Sequence, residues 1–283
     1  GQTWTAISPD LTRNDKSKQQ WSGGPITGDN TGVEVYGTIF SIAESPVQRG
    51  VIWAGSDDGL VHVTQDDGAH WSNVTPKALP EWATVEGIEV SRSDAGTMWF
   101  VAHRYRLDDH CPYLFVTRDF GKTWQQPGKG LPNDLPLYSV RVDPADARFV
   151  YLGTERGVWY SRDGGANFSE LKTNLPPVTV MDMEVKHGDL VIGTRGRGLW
   201  ALEQIATLRA FDDAVRKEPA HLFATRPTPR LREDGTWSEM ANGTFEEDNE
   251  GALLHYWLAA KPKDIVTLTI KDADGRVVRT LSS

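Results

Sequence analysis

Three segments of this chain spell one eight-residue pattern, and that repeat constrains the fold more than any other feature. They are Thr64-Gln-Asp66-Asp-Gly68-Ala-His-Trp71, Thr117-Arg-Asp119-Phe-Gly121-Lys-Thr-Trp124 and Ser161-Arg-Asp163-Gly-Gly165-Ala-Asn-Phe168. Each reads Ser or Thr, any residue, Asp, any, Gly, any, any, aromatic. A short Asp side chain accepts hydrogen bonds from backbone N–H groups just ahead of it and closes a turn. Gly supplies a positive φ where a side chain clashes. The aromatic opens the next strand and packs beneath the turn. On this reading Asp66, Asp119 and Asp163 are structural, with Gly68, Gly121, Gly165, Trp71, Trp124 and Phe168 completing a hairpin lock.

Residues Gly1-Gln-Thr-Trp4 repeat the second half of the pattern. The closing aromatics Trp4, Trp71, Trp124 and Phe168 then fall 67, 53 and 44 residues apart, the length of a four-stranded propeller blade with variable loops. Runs rich in β-formers precede each full turn: 37–43, 51–55 and 60–64; then 85–90, 97–103 and 113–117; then 138–142, 149–153 and 158–161. A further set, 180–185, 189–193 and 199–202, has no such turn after it. Each set supplies strands A, B and C of a blade, and the residues after the turn supply strand D. Trp4–Ser8 is expected as the D strand of a blade upstream. The expectation is an all-β fold: a β-propeller of about four blades forming a partial ring, the rest of which lies on the same or another chain. An open arc leaves a bare edge, which is a physical liability. Residues 9–35 break the rhythm and are expected as a functional or packing excursion on one face.

After Leu202 the pattern changes. Ile205, Leu208, Phe211 and Val215 fall at near-helical spacing and predict one short amphipathic helix within 203–215. Pro227 and Pro229 lie in an extended linker. The runs 252–258, 265–271 and 276–281 read as strands, with Asp272-Ala-Asp-Gly275 as a hairpin turn. The domain expectation is a propeller part at 1–203, helix and linker at 204–232, and the start of an immunoglobulin-like β module at 233–283.

Composition removes whole classes of function. The formal net charge is −9, from 30 basic against 39 acidic residues. That argues against nucleic acid as the main partner, because phosphate binding needs a basic surface. A lone cysteine, Cys111, excludes an internal disulfide framework. No apolar run reaches membrane-spanning length.

The repeated turns resemble the Asp boxes of BNR-repeat proteins, a set that includes sialidases, xyloglucan-cleaving glycoside hydrolases and the sortilin propeller. Further stretches resemble the large exported bacterial BNR-repeat, sortilin-like proteins that carry a glycosyl hydrolase label. They are Gly24–Thr31, Tyr36-Gly-Thr-Ile-Phe40, Trp53–Leu60, Arg104–Asp109, Gly153–Gly157, Val191–Gly198 and Val266–Arg279. The resemblance implies export to the periplasm or outside the cell, and a propeller. It implies little about reaction, since fold does not fix function.

Chemistry is expected at the B–C turns, on the face opposite the repeated turns. Four equivalent turns carry charge: Asp57-Asp58, Arg104 through His110, Glu155-Arg156, and Arg195 with Arg197. Acids and arginines converging on one rim can bind a sugar, a carboxylate or a peptide end. The ligand-binding candidates are Arg104, Arg106, Arg156, Arg195 and Arg197. A glycosidase needs two carboxylates roughly 5–9.5 Å apart. Asp57, Asp58, Asp109 and Glu155 are the candidate catalytic set, with Asp108 as a neighbour. A sialidase needs an arginine triad and a Tyr–Glu pair, and no such pair is visible in the sequence. His103, His110 and Cys111 sit close together, but their spacing fits no metal motif. No cofactor or metal is expected. The first expectation is a propeller that binds a glycan or a protein ligand at its charged face, without catalysis. The alternative is a glycoside hydrolase.

Overall fold

The computed structural model describes residues 3–29, 35–228 and 251–282. The chain divides into two compact units, Gly1–Glu203 and Gln204–Ser283. The short β-rich runs of the first unit form β1 (Ile39–Glu44), β2 (Ile52–Ser56), β3 (Val61–Thr64), β4 (Ser72–Asn73), β5 (Thr84–Val90), β6 (Met98–Arg104), β7 (Asp109–Thr117), β8 (Leu137–Val142), β9 (Val150–Thr154), β10 (Gly157–Ser161), β11 (Ser169–Glu170), β12 (Val180–Lys186), β13 (Asp189–Thr194) and β14 (Leu199–Leu202). They pair antiparallel and in chain order. The first sheet is β1-β2-β3-β4, the second β5-β6-β7, the third β8-β9-β10-β11 and the fourth β12-β13-β14.

Successive sheets pack face to face, a stacking that fits the blades of a β-propeller. Trp53, Val61 and Val63 of the first sheet bury against Val85, Ile88 and Phe100 of the second. Trp99, Val101 and Leu114 of the second bury against Leu137, Val140 and Leu152 of the third. Each side chain buried this way stabilises the stack by about 1.5–3 kcal/mol. The alternation of strand side chains lets one sheet serve both interfaces: Phe100 faces back and Trp99 faces forward.

The outer strands are the shortest of each sheet. β4 and β11 have two residues each, and the second sheet has only a bridge from Val116 to Gln125 in that place. Residues 3–8, expected as a strand, pair with no strand among the described residues.

One feature of the inner strands carries no mark in the sequence. In every sheet the ladder between the first two strands slips by one residue at the same place. Phe40, Glu86, Tyr138 and Met181 are each left over between paired neighbours. Such a bulge bends the strand and re-aims a side chain.

In the second unit the expected helix is shorter. α1 covers Ala206–Ala210, and a separate 3-10 turn covers Val215–Lys217. The helix stops at Phe211, whose ψ of 82° leaves the helical region. Asp212 then caps the 3-10 turn through the N–H groups of Ala214 and Val215. The linker is partly strand: β15 (Ala220–Leu222) pairs with β16 (Tyr256–Leu258). β17 (Thr267–Lys271) pairs with β18 (Val277–Ser282) across the Asp272–Gly275 turn. The immunoglobulin-like expectation for 233–283 falls partly on 233–250, outside the described residues.

Candidate functional site on the B–C turn face

The two ends of each sheet are built differently. At the C–D end the three repeated turns are near copies. Asp66 Oδ1 accepts from the Thr64 hydroxyl at 2.8 Å and the His70 N–H at 2.9 Å. Asp119 does the same with Thr117 and Thr123, and Asp163 with Ser161 and Asn167. The Thr or Ser hydroxyl oxygen in turn accepts from the Gly N–H. The second carboxylate oxygen meets the side chain in the seventh place: His70 at 2.7 Å, Thr123 at 2.6 Å and Asn167 at 2.7 Å. The sequence pattern leaves that place open, yet in all three copies it holds a polar group that reaches back. Hydrogen bonds from His70 and Thr64 hold the Asp66 carboxyl down to about 2, and those from Thr123 and Thr117 do the same for Asp119. Burial raises the Asp163 carboxyl, but its Asn167 and Ser161 bonds outweigh that and leave it below the ordinary value.

The lock also joins neighbours. Trp124 donates its indole N–H to the Val74 carbonyl at 2.7 Å, and Trp71 donates to the Ile7 carbonyl at 2.8 Å. Val74 and Ile7 each stand three places after a closing aromatic, Trp71 and Trp4 respectively. Phe168 has no indole, and its backbone N–H bonds the Lys129 carbonyl instead.

At the B–C end each turn is different. Asp57 and Asp58 belong to the candidate catalytic set, but both are buried and engaged. Asp57 Oδ1 accepts from the N–H groups of Gly37 and Thr38, each at 2.9 Å. Asp58 accepts from the Arg13 N–H at 2.7 Å and from the Ser56 hydroxyl, while Arg13 Nε donates to the Asp58 carbonyl. Asp58 therefore pins Arg13, near the start of the 9–35 excursion, and Asp57 pins Gly37 and Thr38, just ahead of β1, onto the first B–C turn. Burial pushes the Asp57 carboxyl up, against the pull of its backbone donors. Tyr36, just after the excursion, has its ring 5.1 Å from that of Trp82, and Arg13 lies over the same indole.

Asp109 sits at the start of β7, where Arg104 bonds it at 2.7 Å and the Tyr113 hydroxyl at 2.7 Å. Its carboxyl stays below the ordinary value because the Tyr113, Cys111 and Arg104 hydrogen bonds outweigh burial. Asp108 is exposed with a left-handed backbone. Cys111, which with Pro112 directly precedes the apolar run 113–117 and so reads as the start of a buried strand, lies in β7 but is exposed. The extended β7 explains this: the strand begins four residues earlier than its apolar run, so its first turns reach solvent. Arg156 is exposed and holds Asp134 with both arms, at 3.0 and 3.2 Å.

Two of the inner-strand bulges converge with the B–C turns on one cluster. Bulge residue Glu86 meets Nε2 of the buried His103 at 3.1 Å. Bulge residue Tyr138 donates to Glu155 at 2.5 Å, and Thr179 reaches the other Glu155 oxygen at 3.4 Å. The His103 ring lies 4.6 Å from Tyr105 and 5.3 Å from Tyr138. Arg195 stands over the Tyr138 ring, and Arg106 over Tyr105. Three sheets thus contribute to one set of rings, carboxylates and guanidiniums. Burial and then Glu155 push the Tyr138 phenol up. Tyr138 and Glu155 thus form a Tyr–Glu pair, which the sequence did not reveal. Nδ1 of His103 and Nε of Arg104 are buried without a hydrogen-bond partner among the described residues.

Of the sequence candidates, Glu155, Arg106 and Arg195 enter this cluster. Asp57, Asp58 and Asp109 are held within their own turns. Arg197 is exposed in the last B–C turn, where its carbonyl accepts the Trp200 indole N–H. Glu86, His103 as a ring, Tyr105 and Tyr138 were not legible as site residues. The signal that would expose them is the bulge register, which depends on strand pairing.

No family model matches the chain. Relatives are more informative. The xyloglucanase Xgh74A of Acetivibrio thermocellus is 24% identical over 152 residues, 46% of this chain and 18% of that protein. A xyloglucanase of Paenibacillus is 25% identical over 202 residues, 66% of this chain and 19% of that protein. The chain is distantly homologous to xyloglucanases. It spans less than a fifth of the length of these curated relatives. Among solved structures, the GH74 xyloglucanase of Xanthomonas campestris superposes with a TM-score of 0.47 at 13% identity, over 60% of this chain and 30% of that one. An ancestral GH74 enzyme gives 0.42 at 16% identity, over 88% and 33%. At that level the superpositions decide nothing about chemistry.

Proposed function

We propose that this chain is part of an exported β-propeller that holds a glycan on its B–C turn face. One observation carries the reading: rings and cations from three sheets meet there, with Tyr105, His103 and Tyr138 in mutual contact and Arg106 and Arg195 laid over the tyrosines. Sugar rings offer C–H faces to aromatic rings and hydroxyls to polar groups, so a site of a few polar atoms among rings suits them. Nδ1 of His103 and Nε of Arg104, buried without hydrogen-bond partners among the described residues, lie at the same B–C end. The distant xyloglucanase relatives point to the same ligand class. No helix among the described residues is long and apolar enough to cross a membrane.

Hydrolysis is the second reading, and Glu155 is the observation that favours it. It alone of the four candidate acids is exposed while sitting at the ring cluster. Titration calorimetry with xyloglucan oligosaccharides, run beside a reducing-end assay, tests both. Binding weakened roughly tenfold by Tyr105→Ala, a loss of about 1.4 kcal/mol, is the expected result. Binding that ignores both Tyr105→Ala and Arg195→Ala sinks the first reading. Turnover that survives Glu155→Gln sinks the second.

A further inference from the structure

The outer edges of the first three sheets are not finished alike. In the first sheet the Val74 N–H, three places after the closing aromatic, donates to the Val61 carbonyl at 2.9 Å. In the third the Leu171 N–H donates to the Val158 carbonyl at the same distance. The matching place in the second sheet holds Pro127, which has no N–H to give. There the outer chain meets β7 only at Gln125, which exchanges two bonds of 2.9 Å with Val116. The lock beside it stays shut, with the Trp124 indole N–H on the Val74 carbonyl of the first sheet.

A groove of about 580 Å³ lies along this junction of two directly packed sheets. Val74 and Pro76 line it from the first sheet, Trp124 and Gln126 from the second, and the buried Phe115 closes its floor. Lys77 stands on the first side and Lys122 on the second. Both are exposed, and neither ammonium group has a partner among the described residues. Arg118 belongs to the second side too, bonded to Gln125 at 2.8 Å. No carboxylate lines the groove. The acid nearest in sequence to Lys122 is Asp119, whose two oxygens are taken by Thr117 and Thr123. In a chain of net charge −9 this is a local reversal of sign.

We propose that this groove docks an extended acidic segment of another protein, with apolar side chains between its carboxylates. In an extended chain alternate side chains face opposite ways. Every second residue can then enter the apolar floor while the acids between them reach the lysines on the rim. Unpaired cations of this kind select a partner and speed its arrival. A small anion leaves the apolar lining unused, and a nucleic acid meets repulsion from the rest of an acidic chain.

Fluorescence anisotropy with a labelled Glu-Leu-Glu-Leu-Glu peptide tests the proposal. Binding is expected, at least roughly tenfold tighter than that of the Gln-Leu-Gln-Leu-Gln counterpart. It should weaken as salt rises from about 0.05 to 0.5 M. Lys77→Glu combined with Lys122→Glu is expected to abolish it and to admit Lys-Leu-Lys-Leu-Lys in its place. Both lysines are exposed, so the double variant keeps the fold, which an unchanged thermal melt verifies. Acidic and amide peptides that bind alike overturn the proposal, as does binding that survives the double charge reversal. Polygalacturonate bound as tightly as the acidic peptide overturns it too, by assigning the groove to an acidic polysaccharide.

Discussion

The two ends of the sheets use the same residue types to opposite ends. At the C–D end, Asp66, Asp119 and Asp163 are exposed or nearly so, bonded within their own eight residues, and arranged alike three times. At the B–C end, Asp57 and Asp58 are buried, and the backbone N–H groups they accept from, on Gly37, Thr38 and Arg13, lie 19 to 45 residues away. The remaining turns there use Arg104 with Asp109, Tyr138 with Glu155, and Arg195 over Tyr138, with no two alike. Repetition marks the end that carries mechanical load, because a lock that works once works at every sheet. Variation marks the end that is free to meet a ligand, as loops on a rigid scaffold are.

The largest expected effect separates the two ends by a single methyl group. Gly121 and Gly157 both have positive φ, 80° and 89°. A Cβ at Gly121, in a C–D lock, meets Cβ of Val74 on the neighbouring sheet at 2.5 Å, whereas one at Gly157, in a B–C turn, has nothing within 4 Å. Left-handed strain alone costs about 1–2 kcal/mol, and forced overlap in a packed interface adds about 1–3 kcal/mol. Gly121→Ala is therefore expected to lower stability by about 3 kcal/mol and Gly157→Ala by about 1 kcal/mol in urea titrations. Equal losses would dissolve the distinction between a clamped end and an open one.

A middle-sized effect tests whether the clamp and the rim are separable. Trp124→Phe trims the indole, which packs on Phe100 and Phe115, to a single benzene ring and removes the N–H bonded to the Val74 carbonyl. The expected cost is about 2 kcal/mol, from a half-buried carbonyl without its donor and the space the smaller ring leaves. Oligosaccharide affinity should not move. An affinity change of the size expected for Tyr105→Ala would mean that the two ends are coupled through the sheet.

Sequence reading and structure part company along the same line. The lock is local, all eight residues being consecutive, so its composition alone gives the hairpin, the blade rhythm and the place of strands A to C. Only its seventh place escaped, because His70, Thr123 and Asn167 share a capacity to donate rather than an identity. The rim is assembled from distant pieces. Asp57 and Asp58 look like a catalytic pair in a Gly-containing turn until Arg13 arrives from the excursion and Gly37 and Thr38 from the approach to β1. Glu86 and Tyr138 reach the cluster through bulges, and a bulge exists only once two strands are paired and counted against each other. Cys111 and the helix after Leu202 miss for a simpler reason: apolar spacing says where a segment can be buried, not how far its ends extend past the core.

The smallest effect is one of pH, and it has opposite signs at the two ends. Asp66 and Asp119 titrate at about 2 in the folded chain against 3.8 for the free group. Their hydrogen bonds therefore add stability that is complete above the unfolded value and drains away as the pH falls through the folded one. Asp57 is raised by burial. Its ionised form is the one the fold disfavours, so acid relieves a strain there instead of creating one. Urea midpoints followed from about pH 6 to pH 2 register the sum of these linkages. Replacing both lock acids, Asp66→Asn with Asp119→Asn, should flatten the acid loss, because Asn keeps an acceptor oxygen but cannot titrate. Asp57→Asn should steepen it, since the offsetting group is gone. If both variants shifted the curve in the same direction, the claim that one end exposes its aspartates to be held and the other buries them as anchors would fail at its electrostatic root.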